Sequence, residues 1–168
     1  MPTAPQKRYE IGDRIPDVCL PTVGGQGMSR WRGRARESVV IVFPHEPGCA
    51  ACRAYVEELA DSGDGFRRWD GRLIVVLPEG PLVGGGALDT RKEVFTLHDE
   101  HDQLWPRIGR GCAAVVVADR WGAIYEVVRD SEGHRLPTPH EVVEWLRYIA
   151  IQCPECGVPD TPGLLTWS

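Results

Sequence analysis

No apolar run in these 168 residues approaches the ~20 that cross a bilayer, which argues against a membrane-spanning chain. The first residues, Met1-Pro2-Thr3-Ala4-Pro5-Gln6-Lys7-Arg8, lack the apolar stretch of a secretory signal, so a soluble cytoplasmic protein is expected. A basic surplus is also missing. With 19 Lys and Arg against 24 Asp and Glu, and a net charge of −5, nothing drives binding to phosphate backbones or anionic lipid, which excludes nucleic acid and membrane surfaces as expected partners. Six cysteines are too few for a disulfide scaffold at this length. Four of them form two CxxC pairs, a pattern of redox or metal chemistry.

What the chain does contain is enough apolar residue, 42%, to bury the core of one domain. The expected division is a domain over 1–151 and a cysteine-bearing tail over 152–168, irregular and without periodicity. Val39-Val40-Ile41-Val42-Phe43 and Leu73-Ile74-Val75-Val76-Leu77 are short, uncharged, β-branched runs, as in central strands covered on both faces. Between them a helix is predicted from near Cys49 through Ala60, with Gly63 and Gly65 as stop signals. Its Cys52, Tyr55, Val56 and Leu59 fall at i, i+3, i+4 and i+7, so one stripe faces the sheet. Together these segments make a βαβ unit with parallel strands.

The segment from Tyr9 to Gly27, with its spaced prolines, reads as an extended edge hairpin, with Cys19 in the core. The residues from Glu79 to Asp89 read as a loop. Val94-Phe95-Thr96-Leu97 suggests a short strand, followed by a helical turn from Asp99 to Trp105 that Pro106 and Gly109 limit. His98 and His101 lie among Asp99, Glu100 and Asp102, a group read as a solvated helix start rather than a metal cluster. Residues 113–118 and 123–128 flank Asp119-Arg120-Trp121-Gly122 as an antiparallel hairpin. Thr138-Pro139-His140-Glu141 is a capping box that opens a closing helix with an apolar face.

Three segments carry a family resemblance in matching order: Gly12-Asp13-Arg14-Ile15-Pro16-Asp17 with Leu20-Pro21, Pro47-Gly48-Cys49-Ala50-Ala51-Cys52-Arg53 after its strand, and Asp119-Arg120-Trp121-Gly122. Over roughly residues 9 to 150 the chain resembles the redoxin (AhpC/TSA) branch of the thioredoxin-like superfamily, closest to peroxiredoxin-like members with a CxxC dithiol. The resemblance implies an α/β thioredoxin fold, with a mixed central sheet flanked by helices. It further implies a thiol–disulfide oxidoreductase that uses a thioredoxin-type reductant on protein disulfides or a small peroxide-like oxidant.

Two departures from the family stand out. Typical peroxiredoxins carry Pro-x-x-x-Thr-x-x-Cys, whereas counting from Pro44 position 48 is Gly and position 51 is Ala. Thioredoxins place a cis-proline before the hairpin, where this chain has Ala113.

Cys49 at the helix start is the expected nucleophile, because unpaired N–H groups and the positive end of the helix dipole favour its thiolate. Cys52, one turn in on the sheet-facing stripe, is the expected resolving thiol. This strand–CxxC–helix setting favours redox chemistry over a zinc half-site, which needs two further ligands. No cofactor is expected at the dithiol.

His45, Glu46, Arg110 and Cys112 are auxiliary candidates. Glu46 near Cys49 would raise its pKa and a protonated His45 would lower it, while both also fit solvated loop positions. Cys112 stands beside the family's cis-proline position, and it also fits a buried inert thiol.

The tail pair, Cys153 and Cys156, resembles the knuckle of rubredoxin and zinc-ribbon proteins and is a candidate zinc ligand pair. One knuckle is half a site, so a symmetry mate, a partner chain, or Cys19 or His134 would complete it. Redox relay and a structural disulfide remain open for this pair, although a closing helix of ~14 residues at ~1.5 Å each carries it ~20 Å from the dithiol. With Leu164, Leu165 and Trp167 the tail is also a candidate docking segment for a partner protein or a homodimer. A second function class follows: a non-catalytic thioredoxin-fold accessory subunit that joins a larger complex through this tail.

Overall fold

The computed structural model describes residues 6–22, 28–30, 37–78, 94–109, 111–131 and 135–152. In chain order its elements are β1 (Cys19–Pro21), β2 (Met28–Arg30), β3 (Ser38–Phe43), α1 (Ala50–Asp61), α2 (Gly63–Arg68), β4 (Gly71–Leu77), β5 (Val94–His98), α3 (Trp105–Ile108), β6 (Ala113–Ala118), β7 (Ile124–Asp130) and α4 (Pro139–Ala150). Five strands form a mixed sheet in the order β5-β4-β3-β6-β7. Strand β3 runs parallel to β4, and β4 to β5, while β6 runs antiparallel to both β3 and β7. Strands β1 and β2 pair separately as an antiparallel N-terminal hairpin, its second strand lying beyond the Tyr9 to Gly27 segment in which the hairpin was expected.

The period of two along β3 divides the core. Val39, Ile41 and Phe43 pack with Tyr9, Leu20, Leu104, Trp105 and Ile108 on one face. Val40 and Val42 pack with Val56, Leu59, Phe66, Val142 and Leu146 on the other. Each face is therefore closed by its own elements, the first by the N-terminal segment and α3, the second by α1, α2 and α4. Each such buried aliphatic side chain contributes about 1.5–3 kcal/mol relative to leaving it exposed. The capping box of α4 forms: Thr138 accepts from the Glu141 N–H, and the Glu141 carboxylate accepts from the Thr138 N–H.

Several local expectations are corrected. α1 ends at Asp61, ahead of Gly63 as expected, but Gly63 and Gly65 themselves belong to a further helix, α2, in which Gly65 abuts Val143 of α4, where a Cβ would lie 2.9 Å from a valine methyl. Pro106 lies in the first turn of α3, where its missing N–H costs nothing, rather than after a turn begun at Asp99. Asp99 is fully buried rather than solvated. Its carboxylate accepts from the N–H groups of Gln103, Leu104 and Trp105 at 2.8–2.9 Å, so it caps the turn leading into α3. Cys19 is exposed, because the alternation along β1 turns Leu20 inward in its place.

Candidate functional site

Sheet topology sets the location of the dithiol. The chain leaves β3 at Phe43, crosses Pro44-His45-Glu46-Pro47-Gly48, and enters α1 with Cys49 as its N-cap. Cys49 has extended backbone angles, φ −68° and ψ 117°, and its Sγ accepts the N–H of Cys52 at 3.4 Å. A sulfur thus takes the place that a Ser or Asp oxygen usually holds at a helix start, against one of the otherwise unpaired N–H groups. The same bond holds the two cysteines on a single turn.

The two thiols differ in surroundings. Cys49 is partly exposed and Cys52 is buried, 1% accessible, on the stripe that carries Val56 and Leu59 into the core. Burial pushes the Cys52 thiol up to about 11, the neighbouring Cys49 and Glu46 add to this, and a hydrogen bond to the His45 backbone pulls the other way. Cys52 therefore remains protonated at neutral pH. Tyr55, expected on the buried stripe, is only half-buried, and its hydroxyl donates to the Pro137 carbonyl at 2.7 Å, tying α1 to the approach to α4.

The His45 ring is turned to Cys52, with Nδ1 3.4 Å from Sγ. Its other nitrogen, Nε2, lies 3.6 Å from Glu46 Oε1. A proton on Nε2, facing the carboxylate, leaves the Nδ1 lone pair directed at the Cys52 thiol. The ligand atoms of His45, Cys49 and Cys52 all lie within 4.8 Å of one another. His45 thus bears on Cys52, where the spacing alone had suggested an influence on Cys49. The His-x-x-x-Cys-x-x-Cys spacing and the flanking prolines were the available signal for this cluster.

Cys112 and Ala113 lie at the same end of the sheet as the dithiol loop. Ala114 of β6 is registered opposite Phe43, the last residue of β3, so the residues before β6 stand at the end from which the dithiol loop departs. Cys112 is half-buried within electrostatic reach of Arg129, whose guanidinium donates to the carbonyls of Ile108 and Tyr9. Ala113 occupies the expected proline position, and the described residues contain no cis peptide bond. Gly48, at the Thr position of the peroxiredoxin pattern, has nothing among the described residues within 4 Å of where a Cβ would stand. Ala51, at the cysteine position of that pattern, is exposed on α1. Arg110, His134, Cys153, Cys156 and the tail to Ser168 lie outside the described residues. Among the described residues, the His98 to Asp102 segment forms no metal-ligand cluster, and no helix is long and apolar enough to cross a membrane.

By sequence, the chain matches no protein-family model and no curated protein. Its architecture is similar to that of solved structures. Mycobacterium tuberculosis AhpC matches with a TM-score of 0.65 at 14% identity, over 89% of this chain and 98% of that one. Peroxiredoxin 5 from Alvinella pompejana matches with a TM-score of 0.64 at 14% identity, over 83% and 99%. A secreted Mycobacterium tuberculosis disulfide oxidoreductase homologous to E. coli DsbE matches with a TM-score of 0.57 at 12% identity, over 79% and 96%. The chain has a thioredoxin fold, a mixed five-stranded sheet with flanking helices, as those structures do.

Proposed function

We propose that the protein is a thiol–disulfide oxidoreductase that cycles a Cys49–Cys52 disulfide. The observation that carries this reading is the asymmetry of the pair: a partly exposed Cys49 sulfur capping a helix, and a buried Cys52 sulfur one turn behind it, against a histidine nitrogen. The Cys49 thiolate attacks a disulfide sulfur of the substrate, forming a mixed disulfide and releasing one substrate thiolate. Cys52 then gives its proton to His45 Nδ1 and attacks the Cys49 sulfur, and the second substrate thiolate leaves. Two electrons pass to the substrate and the Cys49–Cys52 disulfide remains. A dithiol reductant of the thioredoxin type returns the electrons.

Protein disulfides are the substrate class that this geometry supports best. A peroxide requires a site to hold its oxygens, and the Thr and Cys of the peroxiredoxin pattern are Gly48 and Ala51 in this chain. The test compares wild type with Cys49→Ser in coupled assays, using a thioredoxin-type reductant and either insulin or a hydroperoxide. Turnover of insulin disulfides that is lost in the variant supports the reading. A wild type that turns over neither substrate overturns it.

A further inference from the structure

We propose that, in the reduced protein, His45, Cys49 and Cys52 form a three-ligand site for a thiophilic divalent cation of the zinc class. No cofactor is expected at the dithiol from sequence, because zinc needs two ligands beyond the cysteines and the strand–CxxC–helix setting favours redox chemistry. The loop between Pro44 and Pro47 supplies one of those ligands.

Three observations carry the inference. The donor set is two sulfurs and one imidazole nitrogen, all within 4.8 Å of one another. Nitrogen and sulfur bound to one tetrahedral zinc, at about 2.0–2.1 and 2.3 Å, stand roughly 3.6 Å apart. The observed separation of His45 Nδ1 and Cys52 Sγ is 3.4 Å, so that pair needs only a small adjustment to close on an ion.

The second observation is Glu46. Its Oε1 faces His45 Nε2 at 3.6 Å, behind the ring as seen from the sulfurs. Carboxylates in this outer position orient metal-binding histidines and fix the tautomer whose free nitrogen takes the ion. The third is access. Cys49 is partly exposed, so an ion can enter from solvent, while buried Cys52 fixes the inner side of the site.

Three protein ligands leave a fourth position for solvent or an incoming thiolate. Binding forms two metal–sulfur bonds and one metal–nitrogen bond and releases whatever protons the two thiols still carry, and no electron moves. The same two sulfurs make the proposed disulfide, so metal and disulfide exclude each other. A bound ion would hold the dithiol reduced and unreactive until a competing ligand removed it. In this respect the inference goes beyond the proposed function while using the same residues.

The test uses the full chain carrying Cys153→Ser and Cys156→Ser, which removes the tail pair as a rival metal site. The reduced chain is titrated anaerobically with Co²⁺, read by thiolate-to-cobalt charge-transfer absorption, and with Zn²⁺ against a chromophoric chelator. One ion per chain is expected. Affinity should fall roughly tenfold to hundredfold in Glu46→Gln and further in His45→Ala. Forming the disulfide with an azo dithiol oxidant should abolish binding without any substitution, which keeps the test independent of variants that fold poorly.

A chain that binds no ion, or binds it equally well with His45→Ala or after oxidation, overturns the inference. Disulfide cycling is scored separately on the metal-free chain by alkylation mass shift. Cycling without metal binding would refute this inference alone, and metal binding without cycling would refute the proposed function alone.

Discussion

Cys52 Sγ stands 3.4 Å from His45 Nδ1, although six residues and a helix start separate the two in the chain. A buried thiol that keeps its proton to about pH 11 is a poor nucleophile at neutral pH unless a base takes the proton as it attacks. His45→Gln should therefore slow the second half of the cycle more than the first. Removal of a positioned base typically costs 10²- to 10⁴-fold, and about 10²-fold is expected for a soft sulfur nucleophile. Rapid quenching with acid and mass spectrometry would show the Cys49 mixed disulfide accumulating in the variant. Unchanged resolution, with no accumulation, would remove His45 from the mechanism.

Asp99 illustrates how strongly one buried carboxylate can hold a turn. Its oxygens accept from the N–H groups of Gln103, Leu104 and Trp105, two of these bonds being buried. Asp99→Ala leaves three backbone donors without their acceptor, at about 1–3 kcal/mol for each one that water cannot reach. A loss of at least ~3 kcal/mol in urea unfolding is expected. Trp105 packs edge-on against Phe43 at the end of β3, with ring centroids 5.4 Å apart, so its fluorescence should report the change. A loss under ~1 kcal/mol would mean that water satisfies the turn.

The parts of the fold that were legible in the sequence are those set by local pattern. The β-branched runs of β3 and β4, the hairpin around Asp119 to Gly122 and the capping box at Thr138 each declare themselves within about ten residues. What was not legible depends on contacts between distant segments. Gly65 reads as a helix stop by propensity, yet its lack of a side chain is what brings α2 against Val143. Asp99 reads as a solvent-facing charge until the turn that satisfies it is built. At the site, the helix position foretold the different exposure of Cys49 and Cys52. The direction of the His45 ring was not foretold, because it follows from the path of a short loop between two prolines rather than from any periodicity.

Glycines 48 and 71 should respond oppositely to the same substitution. A Cβ at Gly48 meets nothing among the described residues within 4 Å, whereas one at Gly71 would lie 2.5 Å from a methyl of Leu146, a fully buried residue of α4. Gly71→Ala forces α4 away from β4 and should cost about 1–3 kcal/mol. Gly48→Ala should be neutral or stabilise by up to about 1 kcal/mol through the unfolded chain. Urea unfolding of the two variants side by side checks the contrast. Equal effects would show that Leu146 can yield.

Asp119 provides a test by pH. The side chain is buried, 2% accessible; Oδ1 accepts from the N–H groups of Trp121 and Ala123, while Oδ2 has no hydrogen-bond partner among the described residues. Burial raises its pKa above the usual aspartate value, with the backbone hydrogen bonds and Arg14 opposing. The folded state therefore binds this proton more tightly than the unfolded chain does. The stability it contributes is present in full below the unfolded pKa of about 3.9 and is lost as pH rises through the raised folded value. Asp119→Asn keeps an Oδ1 acceptor and removes the charge, so its advantage over wild type should grow as pH rises from 4 to 7. Urea midpoints at the two pH values measure this, and a wild type that gains on the variant over that interval would show that the hydrogen bonds outweigh burial.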